Sequence, residues 1–175
     1  MAQIKHAFAS AKADDPDSSL VNPGDWNADH EGIKLIRKTA DETVNNSVTF
    51  QNDDHLLFTV AANEVWFFDG FIRFTTTVVA DIKFAFVVPV GAIVHWSLSK
   101  IVNLSAEHPI YSPAAGAGAS ITLDCPGGER VVHLIGTIVF GGTAGNLQLR
   151  WAQATAEATN TQVLLNSWLK AFRAV

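Results

Sequence analysis

The sequence predicts an all-β protein, an antiparallel β-sandwich or jelly roll preceded by an extended, irregular N-terminal arm. Three observations carry this. After residue 32, Val, Ile, Phe, Thr and Trp dominate and the apolar period is two. Gly- and Pro-rich separators punctuate the chain every 8–14 residues, and no long amphipathic helical pattern competes with the strands. Before residue 32 neither period survives. Ala11 to Glu31 holds two prolines, a glycine, five aspartates and two asparagines in 21 positions, which are turn and cap formers. The chain is therefore divided into an arm, residues 1–32, and a β domain, residues 33–175.

Taken in order, the first strand is expected at Ile33–Lys38. Two more, Ser47–Gln51 and His55–Val60, are separated by Asn52-Asp53-Asp54, read as a short acidic turn. Val65–Phe74 follows with a nearly continuous aromatic run. Its charged residues, Asp69 and Arg73, fall on one parity, so Trp66, Phe68, Ile72 and Phe74 should face inward. Gly70 in mid-strand points to a bulge or a close backbone approach. Further strands are expected at Thr77–Val88, Ala92–Ile101, Ala119–Leu123, Arg130–Phe140, Gly145–Ala154 and Trp168–Val175, with one weak helix at Gln162–Leu169. The strands place Trp66, Trp96, Trp151 and Trp168 in patterns that favour core burial.

Composition narrows the function. With 48% apolar and 17% charged residues, against about 25% charged in an average globular protein, disorder is excluded. Twelve Lys and Arg against 17 Asp and Glu leave a net charge of −5, which argues against a nucleic-acid partner. One cysteine, Cys125, excludes an intrachain disulfide framework and a cysteine-based zinc site. The apolar stretch Ile82–Val102 is interrupted by Pro89, Gly91, His95 and Lys100. It reads as two strands and a turn rather than a membrane span. The acidity is uneven. Residues 1–32 hold six acids and two bases, a net of −4, and the remaining 143 residues hold 11 acids and 10 bases, a net of −1. So sparsely charged a domain suits permanent assembly.

Catalytic and metal-binding signals are thin. None of the six histidines lies in a GxSxG, HExxH or HxH setting, and no P-loop or GxGxxG occurs. His95 and His133 read as hydrogen-bonded sheet residues. Asp15-Pro16-Asp17-Ser18-Ser19 spaces oxygens as a calcium loop does, but it lacks the central glycine and the bidentate glutamate. A solvated turn is the simpler reading. No catalytic, cofactor or metal residue is assigned, and no enzyme activity is expected.

Three strings, in order and spanning nearly the whole chain, carry a resemblance. KADDPDSSLVNPGDWNADH, RKTADETVNNSVTFQNDDHLLFTVAANEVWFFDGFIRF and GTAGNLQLRWAQATAEATNTQVLLNSWLKAFRAV are similar to patterns of tailed-bacteriophage virion surface proteins: head decoration, head fibre and small tail-fibre proteins. Two positions depart from the pattern. Phe50 replaces a usual Leu, and Asn166 stands where Gly is common before Ser and an aromatic. The resemblance implies a β-rich virion subunit, often a homotrimer, made in the host cytoplasm and bound to the major capsid protein or another virion protein. Leu20, Val21, Pro23, Trp26 and His30 in the arm are the expected attachment residues. An alternative is a tail-fibre or baseplate protein that binds a host surface glycan, for which Tyr111 in the longest loop is the candidate contact.

Overall fold

A computed structural model describes residues 2–4, 11–17, 19, 22–23, 30–100, 114–115 and 119–174. Thirteen strands are found among them: β1 (Ala2–Ile4), β2 (His30–Arg37), β3 (Glu42–Val44), β4 (Gln51–Val60), β5 (Val65–Thr76), β6 (Ile82–Val87), β7 (Ile93–Lys100), β8 (Ala114–Ala115), β9 (Ser120–Leu123), β10 (Gly128–Val139), β11 (Gly145–Ala152), β12 (Thr161–Val163) and β13 (Trp168–Arg173). They form two antiparallel sheets, so the predicted all-β class holds. The larger runs β1-β2-β13-β5-β10-β7-β8, with β12 pairing β3 and β5, and the smaller runs β4-β11-β6-β9.

The core lies between the sheets and is built on period two. Trp66, Phe68, Ile72 and Phe74 of β5 are all buried, as their parity predicts. They meet rings from the smaller sheet: Phe68 packs edge-on to Phe86 at 5.2 Å, Phe74 to Phe84 at 5.9 Å, and Phe86 in turn to Trp96 of β7 at 5.1 Å. Edge-to-face pairs of this kind add about 0.5–1.5 kcal/mol each beyond their buried area. Glycines make the rings fit. Gly136 of β10 sits in register between Phe68 and Trp96, where a Cβ would lie 2.5 Å from the Phe68 ring and 2.6 Å from the His95 carbonyl oxygen. Gly70 likewise admits Leu169, whose Cδ2 would be 2.4 Å from a Cβ there. The mid-strand glycine marks a close approach, and the β5–β10 register runs through it without a bulge.

Several elements differ from expectation, each for a local reason. Asn52-Asp53-Asp54 is not a turn but part of β4, which continues from Gln51 to Val60. Pairing with β11 slips there, from Gln148 opposite Leu57 to Arg150 opposite Asn52. The turn chemistry is present: Asp53 Oδ1 accepts from the amides of His55 at 3.0 Å and Leu56 at 2.8 Å. It makes a bulge that the strand continues through. Ser47–Phe50 is not a strand, and β3 lies just before it. Ser47 Oγ and Gln153 Oε1 take the amides a ladder would have used. Of Thr77–Val88 only Ile82–Val87 is strand, because Thr77 Oγ1 accepts from the amides of Val79 and Ala80 and turns the chain. The expected helix at Gln162–Leu169 is the end of β12, a turn and the start of β13. Asn166 takes a φ of 66° in that turn, a conformation Asn tolerates.

Candidate interaction surfaces

The residues expected to carry attachment divide in two. Leu20, Val21 and Trp26, and the loop residue Tyr111, lie outside the described residues. Pro23 is half-buried. His30 opens β2, where its backbone pairs with Ile4 of β1. The stretch read as an irregular arm thus contributes a strand to the edge of the larger sheet, and the first three residues of β2 lie inside the arm. The calcium-like run is a local hydrogen-bonded turn. Asp15 Oδ1 accepts from the Asp17 amide at 2.9 Å, and Asp17 Oδ1 accepts from the Ser19 hydroxyl at 2.7 Å and the Ser19 amide at 2.9 Å. Those two bonds, the hydroxyl's first, hold the Asp17 carboxyl below its ordinary range.

The strongest polar cluster is one that the sequence reading left unconnected. Glu42, Asp53 and His55 offer ligand atoms within 4.8 Å of one another. The ammonium of Lys38, itself fully buried, lies among them, 2.5 Å from Glu42 Oε1 and 2.8 Å from Asp53 Oδ2. Glu42 Oε1 also takes the Asp54 amide at 2.9 Å and lies 3.2 Å from His55 Nδ1. With Asp53 Oδ1 committed to two amides, the carboxylates are already served by a resident cation, and the group reads as a structural ion network rather than a metal centre. A signal existed: Lys38 shares its inward parity with Ile36, and a charge on an apolar parity needs a partner.

The outer face of the larger sheet is the most extensive candidate surface. Register aligns its side chains in rows across the strands. Ile33, Phe172, Phe67, Thr137 and His95 form one; Leu35, Lys170, Asp69, Ile135 and Ser97 form the next. Phe67 is 53% exposed, Ile135 55% and Ile93 51%. Trp168, expected in the core, sits half-buried on this face instead. It has the parity of Lys170 and Phe172 and stacks on Phe71 with ring centroids 6.2 Å apart. Lys170 lies over the Trp168 and Phe172 rings, at 5.7 and 5.3 Å, and pairs with Asp69 at 3.1 Å. Asp69 Oδ1 is buried and accepts no hydrogen bond among the described residues. A shallow 240 Å³ depression on the same sheet is lined by His95, Trp96, Ser97, Ile135 and Gly136. Trp66, Trp96 and Trp151 are in the core as expected.

No family model matches the chain, and no curated protein does. Among solved structures it is similar to chains from structures of infectious bursal disease virus. The Gx strain matches at 12% identity and a TM-score of 0.33, over 93% of this chain and 37% of that one. The VP2 subviral particle matches at 11% identity and a TM-score of 0.22, over 82% and 41%. This chain therefore spans less than half the length of the chains it matches. Likenesses at this level carry no functional argument.

Proposed function

We propose that this chain is a structural subunit of a tailed-phage virion, a capsid decoration or head-fibre protein that attaches through its N-terminal segment and forms a homotrimer through its β domain. The observation that carries this reading is the outer face of the larger sheet. Phe67, Ile135, Ile93, Leu35 and Phe172 are exposed on a domain that has only 21 charged residues in 143. A monomer seldom exposes so many large apolar side chains on one sheet face, whereas a permanent assembly buries them. The resemblance of three sequence strings to phage surface proteins supports the setting, and the acid-rich segment before β2 supplies a tether that needs no pocket of its own.

The test separates the two halves of the reading. A variant lacking residues 1–29 keeps β2 whole. It is expected to remain a folded oligomer in light scattering and to lose binding to particles stripped of the native protein. Binding of the truncated chain at full occupancy overturns the attachment role. A monomeric full-length chain at micromolar concentration overturns the assembly role.

A further inference from the structure

We propose that the outer face of the smaller sheet holds a binding site for an extended acidic polypeptide segment with carboxylates at alternate positions, built on Lys83 and Arg150. Lys83 on β6 and Arg150 on β11 point to the same side. Register sets Arg150 opposite Ala85 and Lys83 opposite Ala152, so the two cations are diagonal neighbours on adjacent strands. Both lie against one ring, with the Lys83 ammonium and the Arg150 guanidinium carbon each 4.8 Å from the Phe50 centroid. Neither forms an ion pair among the described residues, in a chain whose net charge is −5. Arg150 Nε is buried and has no acceptor among the described residues.

Two like charges held together without a carboxylate are destabilising on a sheet surface, and the Phe50 ring compensates them only in part. An anionic ligand completes the balance. Its chemistry follows from spacing. Diagonal neighbours on a sheet are about 7–8 Å apart at their backbones, and alternate residues of an extended chain are about 6.8 Å apart. An Asp-x-Asp segment thus presents one carboxylate to each cation, the guanidinium accepting one in a bidentate fork. Asn52 flanks Arg150 and Thr122 flanks Lys83 in the neighbouring strands, both exposed, and they add neutral donors to the rim.

The test is an amide NMR titration of the full-length chain at constant ionic strength with three probes: a capped Asp-Ala-Asp peptide, a capped Asn-Ala-Asn peptide, and inorganic phosphate. Expected are saturable shifts at residues 83, 122 and 150 with Asp-Ala-Asp alone. Lys83→Gln should weaken binding about three- to five-fold, the double variant with Arg150→Gln should remove saturation, and Lys83→Arg should retain it. Lys83 is half-exposed, so its variants keep the test valid if Arg150→Gln loosens the Phe50 packing. Absence of saturable shifts overturns the proposal. So does phosphate binding as tightly as the peptide, which would make this a small-anion site.

Discussion

Lys38 shows how a single side chain holds together segments distant in sequence. Its backbone amide donates to the Ser167 carbonyl at 2.7 Å while its ammonium joins Glu42 to Asp53. Removing the cation would strand a buried carboxylate. Lys38→Met is therefore expected to cost about 3–5 kcal/mol in urea unfolding. Lys38→Met combined with Asp53→Leu should recover part of that, because the fully buried carboxylate is gone, while Glu42 still loses its cation and the His55 and Leu56 amides lose their acceptor. A double variant no more stable than the single one would show that Asp53 needs no counter-ion. Glu64 supports a pH prediction. Burial pushes its carboxyl up, but hydrogen bonds from Trp66 Nε1 and Arg173, with one from the Ala61 amide, outweigh it and leave it below the ordinary range. A carboxylate with a lowered folded pKa adds stability that is complete above its unfolded value, about 4.3. That stability is lost as the pH falls through the folded value. The urea midpoint should fall between pH 6 and pH 3 more steeply for the native chain than for Glu64→Gln. Equal slopes would remove Glu64 from the acid response.

Among the elements, β10 is central, paired along twelve residues with β5 and along eight with β7. Its fit depends on Gly136, and a methyl there would meet both a ring and a backbone carbonyl that cannot move aside. Gly136→Ala is expected to destabilise the fold by about 2–3 kcal/mol. Gly70→Ala should cost less, since the atom it meets most closely is the mobile end of Leu169. Calorimetric melting of the two variants checks the order. The strands read from the sequence were those in which period two was uninterrupted, β5, β7 and β10 above all. Misread segments were those where a side chain took over the backbone's hydrogen bonds: Asp53 within β4, Thr77 before β6, and Ser47 after β3. The residue types announced a local bond in each case. Whether that bond ends a strand or only kinks it depends on a partner strand that local pattern does not reveal.

For the molecule as a whole, the outer face of the larger sheet decides whether the chain is a subunit. Phe67→Lys with Ile135→Lys places charges on an exposed face while leaving the core intact. The monomer's fold should persist, with an unchanged far-ultraviolet spectrum, while the oligomer proposed above is lost in size-exclusion chromatography with light scattering. An unchanged oligomer would place the contact elsewhere. The face was partly legible in advance. The low charge pointed to hidden contact surface, and the parity of β5 set Phe67 and Phe71 apart from the core. That Phe67, Ile135 and Phe172 come from three strands and form one surface was not legible, because it depends on the order β13-β5-β10.

Composition and period by themselves determined the all-β class, the inward face of β5, the burial of three of the five tryptophans, and the division of charge between the first 32 residues and the rest. These properties repeat along the chain, and a strand's two faces are distinguished by alternation alone. Only the tertiary structure decided which strands are neighbours. With that came the burial of Lys38 against Asp53, the placing of Trp168 on the outer face beside Phe71, and the meeting of Lys83 with Arg150 around Phe50. Each of these depends on residues brought together across a sheet, where register rather than sequence distance sets what a side chain meets.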